Sequence, residues 1–169
     1  MKPIRKILLL LTMFSSFGFA AYSQTKEQKK AKAIADTKAL VDSKKFRFIA
    51  QFAQPMGGRN IQLTSEYDVQ IKNDTMIVFL PYYGRDYVAP MDPSQGGIKF
   101  TSTDFTYTKS ARKKGGWQIS IVPKNQDVRQ MYLTVSDEGY SSLQVTSNNR
   151  QAISFNGIVD KLRESKKKK

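Results

Sequence analysis

The sequence predicts a mainly β domain, an antiparallel sandwich or lipocalin-like barrel laid out as a meander behind one N-terminal helix. Three observations lead there. From Phe46 onward, apolar residues recur at every second position, the period of a half-buried strand. Short turns rich in Gly, Asn, Asp and Lys separate these runs roughly every 8 to 12 residues, the spacing of an all-β domain. Before Phe46 the pattern is different: residues 25–45 contain neither Gly nor Pro and are rich in Lys, Ala, Gln and Glu, which favour helix.

The helix, in segment 24–45, carries a thin apolar stripe of Ala31, Ile34, Ala35 and Val41, with Leu40 at its margin. The β domain spans 46–160. "FRFIAQFA" (46–53) sets Phe46, Phe48, Ala50 and Phe52 on one face. "PMGGR" (55–59) is turn chemistry. "YDVQI" (67–71) sets Tyr67, Val69 and Ile71 on one face, and Asn73-Asp74 turns the chain tightly into "TMIVFLP" (75–81), a continuous apolar run expected to be buried on both sides. "GIKFTS", "FTYTK", "WQISIVP", "MYLTVS", "SSLQVTS" and "AISFNG" continue the meander, divided by "KKGG", "DEG" and "NNR". The pairs Gly57-Gly58, Gly96-Gly97 and Gly115-Gly116 read as turn glycines between strands. No helix is expected after Lys45.

Both ends have their own character. Residues 1–23 read as a secretory signal peptide: Lys2, Arg5 and Lys6 precede the apolar "ILLLLTMF", and "AYS" at 21–23 offers the small residues of a cleavage site before Gln24. Export to the periplasm or the exterior follows as an expectation, with no transmembrane segment once the signal is removed. The chain has no cysteine, so neither a lipid-modified cysteine nor a disulfide can form. The formal charge of +14 and isoelectric point near 9.9 are concentrated at the ends. Residues 24–45 carry seven Lys against three acids, and the tail 161–169, expected to be disordered, carries six basic residues against one acid. Segment 46–160, with 12 basic and 10 acidic residues, is close to neutral. Basic ends suit attraction to anionic envelope surfaces better than nucleic-acid recognition, for which no motif is present.

The missing residue types exclude much chemistry. With no His and no Cys, the Ser-His-Asp and Cys-His nucleophile systems cannot be built, and zinc loses its main ligands. No Gly-rich phosphate loop is present. No cofactor is expected. Paired carboxylates remain: Asp86 with Asp92, and Asp137 with Glu138, the latter in an evident turn. A carboxylate-based hydrolase is therefore the enzymatic alternative to a non-catalytic protein. Asp86 and Asp92 lack the dense acidic loop that calcium sites use.

Segment 81–97 breaks the rule of short turns. Loops of this length in a compact domain are uncommon and often functional. Tyr82, Tyr83 and Tyr87 crowd around Gly84, Arg85 and Asp86. Two readings are open. The rings and Arg85 rim a ligand pocket, with Arg85 gripping a carboxylate or phosphate at two points. Alternatively, the tyrosines plug the end of the sheet and Arg85 pairs with Asp86 or another local acid.

"LPYYGRDY", "GGIKF", "KKGGW" and "SNNRQAISFNG" together resemble the domain-of-unknown-function family 4251, exported proteins of Bacteroidetes. The resemblance covers roughly residues 30–160. Its strongest motif, of the form LPYFGR-x-Y, is matched at Leu80, Pro81, Tyr82, Gly84, Arg85 and Tyr87, with Tyr83 where Phe is common. It implies export and a mostly β domain, and it supplies no activity, ligand or catalytic residue. In that bacterial group, "DTM" (74–76) resembles a short O-glycosylation motif, which makes Thr75 a candidate acceptor. The functional expectation is a non-catalytic envelope protein that binds a small amphipathic ligand beside its sheet through Tyr82, Tyr83, Arg85 and Tyr87. The alternative is an interaction module docking on another envelope component through its basic ends or an exposed strand edge.

Overall fold

The computed structural model describes residues 26–87, 96–124 and 126–163. Residues 1–23, read above as a signal peptide, Asp92 and the last six residues of the basic tail lie outside these. One helix, α1 (Lys26–Ser43), precedes nine strands: β1 (Lys45–Pro55), β2 (Ile61–Lys72), β3 (Thr75–Leu80), β4 (Ile98–Ser102), β5 (Phe105–Ala111), β6 (Trp117–Pro123), β7 (Val128–Val135), β8 (Tyr140–Ser147) and β9 (Ile153–Lys161). All pairings are antiparallel, in the order β4-β3-β2-β1-β9-β8-β7-β6-β5. The sheet curls into a nearly closed barrel.

Closure comes from the chain itself. β4 and β5 are the two edge strands, yet only Thr103 and Asp104 separate them. They are successive halves of one bent strand, pairing with β3 before the bend and with β6 after it. Ser102 Oγ donates to Asp104 O at 3.0 Å, and Lys124 N–H donates to the same carbonyl at 3.0 Å, which pins the corner. A strand that switches partners at a bend is the usual way a sheet turns such a corner.

The interior is filled by side chains. Phe46, Phe48, Phe155, Met76, Leu80 and Met131 are among the largest fully buried residues. One inward row, Ile119-Leu133-Leu143-Phe155-Ala53, crosses five paired strands without interruption. The alternate residues point outward and form two further rows. Ser110, Gln118, Thr134, Ser142, Asn156 and Phe52 lie side by side across six strands. Thr108, Ser120, Tyr132, Gln144, Ser154 and Gln54 form the adjacent row. Elsewhere the outer surface carries ion pairs: buried Arg47 joins Glu66 at 3.1 Å and Asp160 at 3.4 Å, and Arg163 pairs with Glu66 at 2.6 Å.

Four sequence expectations need correction. Phe52 does not join Phe46, Phe48 and Ala50 inside; it is 40% exposed. Gln51 is an extra residue in the β1–β9 register, so the inward role passes to Ala53. β3 is buried on one face only, through Met76, Val78 and Leu80, while Phe79 stacks against Tyr67 at 5.4 Å with Lys99 over its ring. β2 is longer than expected and begins at Ile61, because Ile61 and Gln62 pair with Ala53 and Phe52 beyond the register irregularity in β1. In α1, Ala31 and Ala35 are exposed. The buried stripe is centred on Thr37 and Val41, with Ala33, Ile34 and Leu40 half-buried. The Val41 side chain enters the core.

α1 packs on β1 and β9. Asp42 ties it to the far edge of the barrel through Lys109 and accepts from Lys38 at 2.8 Å, and Lys30 pairs with Glu138 at 3.4 Å. The two lysines hold the Asp42 carboxyl at about 2. Beside them Tyr107 lies under Lys44, its hydroxyl oxygen buried without a partner, and burial, then the Asp42 charge, raises it to about 12.

Two predictions follow from this packing. Gly157 faces Ala50 just before the extra residue, and a Cβ there would lie 1.9 Å from Ile49 O. Gly157→Ala therefore destabilises the fold by about 1–3 kcal/mol, the cost of overpacking, read from the midpoint of urea denaturation. Tyr107 resists ionisation in the folded state, so its contribution is fully present below pH about 10 and lost as pH rises toward 12. Tyr107→Phe removes this liability: stability is unchanged or raised at neutral pH, and alkaline unfolding shifts to higher pH.

Candidate functional site

β3 ends where Pro81, which has no N–H to offer a ladder, follows Leu80. The chain then folds back over the ring of Tyr82. The Tyr82 hydroxyl lies 2.8 Å from Arg85 O and 2.9 Å from Gln151 O and donates to this pair of carbonyls. Gly84 passes over the ring so closely that a Cβ would lie 2.4 Å from the hydroxyl, which is why the motif has glycine there. Burial is the main cause that raises the Tyr82 pKa, and the nearby Asp86 carboxylate adds to it.

The same segment is stitched to the β8–β9 turn. Asp86 and Arg150 form an antiparallel bridge. Tyr87 N–H donates to Asn149 O at 2.8 Å, and Gln151 N–H donates to Arg85 O at 3.0 Å. The Arg150 side chain, only 15% exposed, is the hub. Its Nη1 donates to Gly97 O at 3.0 Å, and its Nε lies 3.2 Å from Asp86 Oδ1 and 3.9 Å from Asp127 Oδ2. Its guanidinium stands 5.2 Å from the centre of the Tyr82 ring, close enough for cation–π attraction. One arginine thus holds the exit from β3, the entry to β4 and the β6–β7 turn.

The structure divides the four residues singled out in the sequence. Tyr82 packs against the core and acts as the plug. Tyr83, 44% exposed, and Arg85 line a groove of about 340 Å³ with Pro55, Met56, Gly58 and Gln151. Tyr87 is 69% exposed, and among the described residues it is held through its backbone N–H to Asn149 O. Of the expected pairing of Arg85 with Asp86 or another local acid, the Asp86 pair is not formed; Asp86 takes Arg150, with which it also shares a backbone bridge. Residues 88–95 of the long loop lie outside the described residues. Arg150 escaped the sequence reading because "NNR" looked like turn chemistry alone. The one sequence signal for it was its place in "SNNRQAISFNG", one of the segments that, with "LPYYGRDY", carry the family resemblance.

A second groove, of about 430 Å³, opens at the barrel seam between β4 and the β6–β7 turn. Ile98, Phe100 and Val128 give it an apolar floor, and Lys99, Gln126, Asp127 and Arg150 its polar walls. The carboxylates considered for catalysis are engaged in structure: Asp86 with Arg150, Asp137 accepting from Gly116 N–H at 2.7 Å, and Glu138 with Lys30. The partner proposed for Asp86, Asp92, lies outside the described residues. Among the described residues no three His, Cys, Asp or Glu side chains are grouped to hold a metal. Thr75 opens β3 after the Asn73-Asp74 turn and is half-buried.

Fold and site together define a nearly closed antiparallel barrel module, its end locked by a half-buried tyrosine and an arginine hub. Residues 28–159 match the family described as domain of unknown function DUF4251, and the chain belongs to that family. A crystal structure of a DUF4251 family protein from Bacteroides eggerthii DSM 20697 is similar in fold, with a TM-score of 0.57 at 18% identity, covering 78% of this chain and 89% of that one. No curated protein matches the chain.

The two arginines near the loop make opposite predictions. Arg150→Met removes a buried, charge-assisted network and leaves Asp86 and Gly97 O without their donor; it lowers stability by about 2–4 kcal/mol. Arg85→Met, on the exposed side, changes it by less than about 0.5 kcal/mol. Chemical denaturation of the two variants side by side checks this.

Proposed function

We propose that the protein is an exported, non-catalytic binding module that takes a small amphipathic molecule beside its sheet. The observation that carries this is the seam groove. Its volume of about 430 Å³ is in the range of small-molecule sites, and its apolar floor meets polar walls that offer both signs, Lys99 and Asp127. A ligand there needs an apolar portion against Ile98 and Phe100 and a head group that both donates and accepts. The filled interior favours this exterior position over a lipocalin-like central cavity. Export rests on residues 1–23 alone, and intact mass of the protein from its native host tests it: the expected mature chain begins at Gln24. No helix among the described residues is long and apolar enough to cross a membrane.

A second reading, docking on another envelope component, is favoured by β4. It pairs with β3 on one side, and its other edge faces the groove, where an added strand could pair.

Native mass spectrometry and titration with a zwitterionic lysophospholipid test the first reading. Binding is expected, weakened about tenfold in Lys99→Asp, where the wall charge is reversed. Absence of any complex, or equal affinity in the variant, would overturn the assignment to this groove. Capture of an extended peptide by β4 in its place would favour the second reading.

A further inference from the structure

The outer face of β5–β9 and the second half of β1 has an unusual composition. Its two central rows hold twelve outward positions and not one charged residue. With 25% of the chain charged, about three charges would ordinarily fall there. The solvent side of a sheet is where charge normally collects, and the outer surface around Arg47, Glu66 and Asp160 does collect it. Here hydroxyls and carboxamides alternate instead, with aromatic rings among them.

The face is also not smooth. One depression, of about 410 Å³, lies between Phe52, Tyr140 and Asn156, and is shallowly floored by Gly157, which has no side chain to fill it. A second, of about 480 Å³, lies between Gln118, Tyr132, Gln144 and Ser154. They share Thr134 and Ser142 and so form one continuous trough. Its lining comes from five strands, β6 to β9 and β1, which at about 4.8 Å spacing make it about 19 Å long, room for several sugar rings. Phe52 is 40% and Tyr140 66% exposed, a cost the fold does not otherwise require. The side-chain amides of Gln118, Gln144 and Asn156 make no hydrogen bond with the described residues, so both their donors and acceptors face outward.

We infer that this trough binds a neutral glycan chain. A sugar presents hydroxyls that donate and accept in pairs, which an amide answers with its N–H and C=O. It also presents apolar C–H faces, which suit an exposed ring. An anionic polymer finds no cation along either row; Arg112 stands only at the rim. A protein partner would ordinarily meet a core of apolar anchors, and these rows offer two rings among ten hydroxyls, amides and other small polar groups. This surface is distinct from the seam groove and the inference does not depend on it.

The test is affinity electrophoresis of the mature chain through gels containing hydroxyethylcellulose, soluble starch, galactomannan or dextran, with polygalacturonate as the acidic comparison. At least one neutral polymer is expected to retard the protein, with retardation unchanged by added salt. Tyr140→Ala, Phe52→Ala and Gln144→Lys each weaken that interaction about tenfold, while their circular dichroism and thermal midpoint stay close to the parent's. Lys99→Asp, in the seam groove, leaves it intact. The inference is overturned if no neutral polymer retards the protein. It is also overturned if only polygalacturonate does so in a salt-sensitive way, or if the three trough variants migrate like the parent. Sedimentation showing a dimer that Gln144→Lys dissociates, without glycan binding, would reassign the face to a second copy of the chain.

Discussion

Two residues, Thr103 and Asp104, impose the constraint on which the rest depends. Nine strands laid flat would place their edges about 38 Å apart, at the usual inter-strand spacing. A link of two residues reaches about 10 Å. The edges must therefore come together, and the sheet must roll. Rolling separates the residues of every strand into an inner and an outer set. The inner set fills the barrel with Phe, Ile, Leu, Val and Met, leaving function to the ends, the seam and the outer wall.

The ends are closed by different means. At one, α1 inserts Val41 and is held from outside by Asp42 and Lys109. At the other, Tyr82 inserts its ring and is held by Arg150, which gathers three connections at once. The first closure rests on exposed ion pairs, which are weak and sensitive to salt. The second rests on largely buried, charge-assisted hydrogen bonds, which are strong and directional. The two ends therefore differ in the kind of contact that closes them.

The strand segments and the helix before them were legible in the sequence because period and turn chemistry are local properties; the order of the strands in the sheet, and the choice of barrel over sandwich, were not. Most of the core was legible for the same reason. What was not legible depended on register. Phe52 obeyed the alternation of its strand and still ended outside, since an extra residue relative to β9 cannot be seen within β1 alone. Ala31 and Ala35 matched the helical period, but Thr37 took the buried position because the helix meets the β7–β8 turn at Gly139, a contact made across the fold. In the candidate site, the aromatic loop was legible and its role was half-legible. Tyr82 and Tyr83 are neighbours in sequence with opposite burial, and the residue that covers the Tyr82 ring, Arg150, lies far along the chain. The uncharged outer rows were equally hidden: each strand contributes only two residues, and their common character emerges when six strands are set in register.

The extra residue at Gln51 acts as a change of phase. On its N-terminal side, even-numbered residues of β1 face the core; on its C-terminal side, odd-numbered ones do. The chemical identity of Phe52 does not decide whether it is structural or superficial; the count of residues before it does. Deleting one residue there would return Phe52 to the interior and send Ala53 out. The trough would lose an aromatic wall and the core would gain a ring it has no room for, without any substitution having been made. Length at this point of the chain is therefore under tighter physical constraint than composition.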